Sequence, residues 1–184
     1  MSVNVDQLNQ MAPPQGLPFH IGKLGHVVLQ VSDLERSTDF YTRILGFQIS
    51  DVYGEDMMAG GMVFLRCNPD HHALALVGQA TEPAQNIELN HIAFEVSTLD
   101  EVVRLRDHLR QHNVQIDFDG RRRAGCQIAV EFRDPDNHRL EVYWGLEQVG
   151  SDGRVRAPNE WHGVTSLEEA IDKPVPGQDT TRWS

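Results

Sequence analysis

Apolar and polar residues alternate over 24–31. His26, Val28 and Gln30 fall on one face and Val27, Leu29 and Val31 on the other, the period of a half-buried strand. The period then changes. Ser32 with Glu35 forms a capping box, Leu34, Tyr41 and Leu45 fall near helical spacing, and Gly46 stops the helix. Three further strands are predicted at 46–53, 60–67 and 72–77. The plan then recurs with a strand at 90–96 and a helix starting at Ser97 or Thr98, the latter with Glu101 three residues on. Leu99, Val102, Leu105 and Leu109 form that helix's apolar stripe, and Asn113 ends it. Strands at 114–118, 126–133 and 138–144 complete the second copy, so each copy is βαβββ.

The recurrence extends to residue identity. Leu24-Gly25-His26-Val27-Val28-Leu29-Gln30-Val31-Ser32-Asp33-Leu34 returns 65 positions later as Leu89-Asn90-His91-Ile92-Ala93-Phe94-Glu95-Val96-Ser97-Thr98-Leu99. At the other end, Arg66 to Val77 lines up with Phe132 to Tyr143, with Pro-Asp marking the turn into each last strand. A repeat of this kind is one structural unit used twice. The expected fold class is α+β: two tandem βαβββ modules, 23–80 and 88–146, forming one domain over 23–146 with a cup-shaped mixed sheet. Residues 1–22 are expected as an N-terminal extension. Residues 147–184 are expected as a C-terminal tail packing on the core, with a short helix from Ser166 (box partner Glu169) and with Trp161 and Trp183 as its apolar anchors.

Charge narrows the partners. Sixteen Lys and Arg against 27 Asp and Glu give −11 over 184 residues. Nucleic acid and anionic membrane both call for a basic surface, so both are disfavoured. No apolar run approaches the roughly 20 residues of a spanning helix, and Met1 to Pro18 lacks the layout of a signal peptide. Two cysteines, Cys67 and Cys126, make no disulfide framework; a reducing, cytoplasmic setting is expected, with Cys67 a buried strand residue and Cys126 a strand opener.

The equivalence of His26 and His91 brings in chemistry. With Glu141, set between Leu140 and Val142, they supply two imidazoles and a carboxylate, a set that leaves other metal positions open for substrate and O2. The alternative is two satisfied core histidines and a surface glutamate. In the repeat Glu141 faces Ala75, so the set is asymmetric and offers three ligands rather than four. His72 enters the fourth strand of the half without the carboxylate, where a neutral imidazole can take a proton from a bound hydroxyl. His71 is expected to be a polar strand entry, and His138 to face solvent.

These segments resemble the vicinal oxygen chelate superfamily, which includes glyoxalase I, fosfomycin and bleomycin resistance proteins, and type I extradiol dioxygenases. The resemblance covers roughly 22–146. It is carried by Gly25-His26-Val27-Val28-Leu29 with Phe40-Tyr41, then Arg66 to His72, Leu89-Asn90-His91, and Asp134-Pro135-Asp136 running to Glu141. The doubled histidine before the fourth strand is most similar to the ring-cleavage enzymes. The resemblance implies Fe(II) on His26, His91 and Glu141 (with Mn, Zn or Ni as other options), His72 as the catalytic acid/base, and a small aromatic substrate with O2. Arg122, Glu131 and Tyr143 are the expected substrate-binding residues. At two positions the chain departs from that family: Gly120-Arg121-Arg122 stands where it has Gly-Arg-His, and Glu131 where it has a tyrosine. Arg121 to Arg123 are expected either to hold an acidic substituent or to form a solvated face. The alternatives are a glyoxalase-type metal-dependent isomerase or lyase and a non-catalytic small-molecule-binding resistance protein. Sheet edges in both modules are compatible with a homodimer.

Overall fold

The computed structural model describes residues 3–181 apart from 13, 14, 16, 17, 20, 123 and 150–152. A short exposed helix, α1 (Val5–Asn9), precedes the first module. That module runs β1 (Val27–Gln30), α2 (Leu34–Asp39) continued by a π-helical turn (Phe40–Ile44), β2 (Gln48–Tyr53), β3 (Met62–Arg66) and β4 (Leu74–Val77). The second runs β5 (Ile92–Glu95), α3 (Leu99–Gln111), β6 (Ile116–Arg121), β7 (Ile128–Arg133) and β8 (Arg139–Trp144); α4 (Leu167–Asp172) lies in the tail. The fold is thus α+β with two tandem βαβββ modules. Each module makes its own four-stranded mixed sheet, in the orders β1-β4-β3-β2 and β5-β8-β7-β6. The first strand of each module pairs parallel to the fourth and is an edge strand; the other pairings are antiparallel.

Alternation explains the burial. Leu74 and Leu76, Val63 and Leu65, Ile128, Val130 and Phe132, and Leu140 and Val142 all point to the helix side. There they join Phe40 and Tyr41 of the π-helical turn after α2 and Leu99, Val102 and Leu109 of α3 in one core. Each such side chain contributes ~1.5–3 kcal/mol of apolar burial. The opposite sheet faces carry His26, Val28 and Gln30 in one module and His91, Glu131, Glu141 and Tyr143 in the other, and so remain available for a site.

Local signals locate the helices, with one correction. Thr98 and Glu101 form the expected capping box of α3, and Ser166 caps α4 by accepting from the Glu169 N–H. In α2 the cap is Asp33, not Ser32: Asp33 Oδ1 accepts from the Arg36 N–H at 3.0 Å. Ser32 is drawn elsewhere, because its N–H (2.9 Å) and its hydroxyl both donate to Asp136. Gly46 ends the helix as expected, at φ 77°, where a side chain would be strained.

Asp136 joins the modules. It is fully buried and accepts in addition from the Ser37 hydroxyl at 2.8 Å and from Arg36 at 3.2 Å. Its neighbour Asp134 accepts from the Tyr41 hydroxyl and from His138 Nδ1, each at 2.9 Å. His138 is therefore a half-buried structural group, not the solvent-facing residue expected from its turn. Burial alone would raise the Asp136 carboxyl, but the donors of Ser32, Ser37 and Arg36 outweigh it and hold the group below the ordinary range. A depressed folded value stabilises the fold above the unfolded value of about 3.9, and that share is lost as pH falls through the folded value. Asp136→Asn turns an acceptor into a partial donor against these hydroxyls. It is expected to cost about 2–3 kcal/mol at neutral pH, read by urea denaturation, with the difference from wild type shrinking below pH 4.

Among the described residues no helix is long and apolar enough to cross a membrane. Cys67 is exposed just after β3, and Cys126 is buried in the turn before β7 at φ 53°. Neither lies in a strand, since both flank turns that the alternation alone does not resolve.

Candidate metal centre and substrate cleft

In the second sheet the register opposes Ala93 to Glu141 across β5 and β8, and Glu131 to Glu141 across β7 and β8. Directly opposed residues share a face. His91, two residues before Ala93, lies at the mouth of β5 on that face, and its Nε2 is 3.2 Å from Glu141 Oε2. Its other ring nitrogen, Nδ1, is 2.9 Å from Asn90 Oδ1. In the tautomer with Nδ1–H donating to Asn90, Nε2 is the nitrogen free to ligate a metal beside the carboxylate. Glu141 is 3% exposed, and its other oxygen has only a long 3.4 Å hydrogen bond from Gln127. Burial is the main cause that pushes this carboxyl up; Glu131 adds to it, while Gln127, His91 and Arg122 act the other way. The pair fits a divalent metal, which would do for the buried charge what a proton otherwise does.

The first sheet holds a different cluster. The His26 and His72 rings pack with centroids 4.5 Å apart and planes tilted at 49°, and Phe64 meets His72 edge-on at 5.0 Å. His71 Nδ1 lies 3.0 Å from His72 Nδ1, and Tyr53 packs on Phe64 at 4.9 Å. Burial in this ring cluster, followed by the charges of His26 and His71, holds His72 below the usual imidazole range. Val28, Ala75 and Phe64 lie in register across β1, β4 and β3, so the floor beside His26 is apolar. Ala75 is at the place where the second sheet has Glu141.

His91 and Glu141 are therefore brought together, as are His26 and His72, but the two pairs stand on separate sheets. Among the described residues no three His, Cys, Asp or Glu side chains converge to hold a metal. His26 and His91 are both exposed, which removes the reading of satisfied core histidines.

A cleft of about 720 Å³ opens over His91 and Glu141, lined also by Arg122, Glu131, Arg133 and Arg139 among others. Arg122 forks onto Glu131, Nε to Oε1 at 2.7 Å and Nη2 to Oε2 at 2.8 Å, and lies 3.7 Å over the Phe118 ring. Tyr143 shares the sheet face with Glu141 but does not line the cleft; burial, then Glu95 and Glu141, raise its hydroxyl. The arginine run does not act as one patch. Arg121 is 1% exposed and donates to carbonyls of the tail, Arg122 is taken by Glu131, and Arg123 lies outside the described residues. Adjacent strand residues point to opposite faces, which explains the split. Asn90, Gln127 and Phe118 were not foreseen as site residues. Asn90 replaces Gly25 in the repeat, a change at the residue before a candidate ligand, and it could have been noticed.

The family model described as Glyoxalase/Bleomycin resistance protein/Dioxygenase superfamily matches residues 23–142. The chain belongs to this superfamily. It is 31% identical over 144 residues to 3-methylcatechol 2,3-dioxygenase of Pseudomonas putida, covering 75% of this chain and 48% of that one. It is 33% identical over 156 residues to biphenyl-2,3-diol 1,2-dioxygenase of Metapseudomonas furukawaii, covering 80% and 50%. The chain thus spans about half the length of these dioxygenases. Two relatives at 27% identity are named as manganese-dependent and iron-dependent dioxygenases. The superfamily is wider than this chemistry. Metallothiol transferase FosB of Lysinibacillus sphaericus is 31% identical over 131 residues, 70% of this chain and 86% of that one. Among solved structures, glyoxalase I of Leishmania major superposes with a TM-score of 0.54 at 26% identity, over 67% of this chain and 86% of that one.

Proposed function

We propose that this chain is an Fe(II)-dependent extradiol dioxygenase that opens the ring of a small catechol-type substrate with O2. The observation that carries the reading is the His91–Glu141 pair: a buried carboxylate with an imidazole nitrogen 3.2 Å away and the cleft open above it. His91, Glu141 and His26 are the metal ligands, and three protein ligands leave positions for both substrate oxygens and O2. Bound metal would supply the redox chemistry. The chain's own residues do the rest. His72, kept neutral among its ring neighbours, accepts a phenolic proton at a ring nitrogen. Val28, Phe64 and Tyr53 supply an apolar bed for the ring.

A homodimer completes the set in this reading. β1 and β5 are edge strands of separate sheets, and the first sheet of one copy facing the second sheet of its partner brings His26 and His72 to His91 and Glu141. Work on a small molecule rather than on nucleic acid or membrane accords with the −11 charge, and a reducing, cytoplasmic setting with two cysteines that make no disulfide framework.

The test is anaerobic reconstitution with Fe(II), followed by a panel of catechols in air. A yellow ring-fission product is expected. Bound iron with no product from any catechol would overturn the assignment. His72→Gln is expected to lower kcat about a hundredfold while bound metal, measured by elemental analysis, stays at the wild-type level. The likeness to FosB over most of that protein's length favours one second reading, a metal-dependent transferase, isomerase or lyase that does not use O2. Turnover with Zn or Ni but not Fe would establish it.

A further inference from the structure

The register that opposes Glu131 to Glu141 puts two carboxylates side by side on one sheet face. Directly opposed side chains start about 5 Å apart at Cβ, so a free Glu131 can reach what Glu141 reaches. It is not free. Both of its oxygens are taken by the Arg122 fork, and the guanidinium is fixed from behind by the Phe118 ring. The Glu131 side chain is 25% exposed and that of Arg122 51%, so the pair closes the outer wall of the cleft rather than lying in the core.

We infer that Arg122 is a positioning residue that holds Glu131 away from the metal and so keeps the site at three protein ligands. This rests on the proposed metal set of His91, Glu141 and His26. The planar fork matters: it matches both carboxylate oxygens at once, whereas a point charge leaves one oxygen available. Charge balance points the same way. With Glu131 neutralised by Arg122, Glu141 is the one carboxylate on this row left to meet a cation. Releasing Glu131 adds a second anionic oxygen donor beside it, which tightens binding of a hard divalent ion and closes a position meant for substrate.

The test is Co(II) titration of the intact metal-free protein, reading the dissociation constant and the visible d–d band, whose intensity reports coordination number. Arg122→Met is expected to bind Co(II) about tenfold tighter, with an altered band. In the double variant Arg122→Met/Glu131→Gln both return to wild type. Glu131→Gln alone is expected to leave the constant within about twofold. Arg122→Lys is expected to fall between wild type and Arg122→Met, and it controls for loss of packing on Phe118. Unchanged affinity in Arg122→Met, or tightening that persists in the double variant, would overturn the inference while leaving the metal site standing. Co(II) binding indifferent to both His91→Ala and Glu141→Gln overturns the inference together with the reading beneath it.

Discussion

Glu141→Gln is expected to weaken metal binding by about two to three orders of magnitude and to abolish turnover with it. Structural metal sites worth roughly 10–16 kcal/mol over four ligands give each ligand ~2.5–4 kcal/mol, which is that range. Glutamine keeps the shape but not the charge, and its amide nitrogen cannot ligate as a carboxylate does. Loss of affinity by itself would also follow from a damaged fold, but the burial of Glu141 provides a control. Its carboxyl is raised mainly by desolvation. A raised folded value means that the folded state binds more protons than the unfolded one above pH ~4.3, so the metal-free protein loses stability as pH rises through that window. Glutamine removes the dependence. The metal-free variant should therefore melt no lower than metal-free wild type at pH 7, and the two should converge toward pH 4. Calorimetry across pH, paired with anaerobic Fe(II) titration, separates the cases. A variant that binds Fe(II) like wild type removes Glu141 from the ligand set; one that melts lower assigns it to the fold.

What the sequence reveals of this centre, and what it hides, follows from the range of the forces involved. The eight strands and the helices after β1 and β5 are set by alternation and by caps, which act over a few residues. For that reason they are legible, as is Ser166 at the head of α4. Ser32 misleads because its partner Asp136 is 104 residues away, and a capping rule sees only its own turn. The repeat does place Asp33 opposite Thr98, the residue that caps α3, so the correct cap was available from self-comparison.

The histidines show the same limit on a larger scale. Equivalent places in a repeat make His26 and His91 local counterparts, each at the mouth of an edge strand. Whether the two faces meet depends on how the modules dock. That docking runs through Asp134, Asp136, Tyr41 and the contact of Phe47 with Phe94 at 5.4 Å, none of which the hydrophobic pattern encodes. The cross-strand partner of Glu141 is similarly hidden: only the register identifies Glu131 as its neighbour, and so gives Arg122 its role.

Arg121→Met is expected to destabilise the fold by about 3–5 kcal/mol, the scale for leaving several buried acceptors without their donor, and to do so by releasing the tail. The guanidinium of Arg121 is almost wholly buried and donates to four oxygens: His162 O at 2.8 Å, Ala170 O at 3.1 Å, Lys173 O at 2.6 Å and Gln178 Oε1 at 3.2 Å. Beside it, backbone bonds of 3.0 Å run both ways between Arg121 and Val164. The approach depends on Gly120, at φ 142°, where a Cβ would lie 2.4 Å from the Val164 carbonyl oxygen. One side chain thus satisfies the last turn of α4 and both chain segments flanking it, and those carbonyls lose their common donor once methionine fills the space. Leu167, Ala170 and Val175, all buried, lose their hold on the sheet when the latch opens. For a chain of this size the melting temperature should fall by about 10 °C. Hydrogen exchange locates the damage: amides over 162–178 should lose protection well before those of β7 and β8. Arg121→Lys, which keeps the charge but reaches fewer carbonyls, should lie between the two. A variant melting within about 2 °C of wild type, or one whose tail amides keep their protection, would show that the tail is held by its apolar contacts and that Arg121 is merely covered by it.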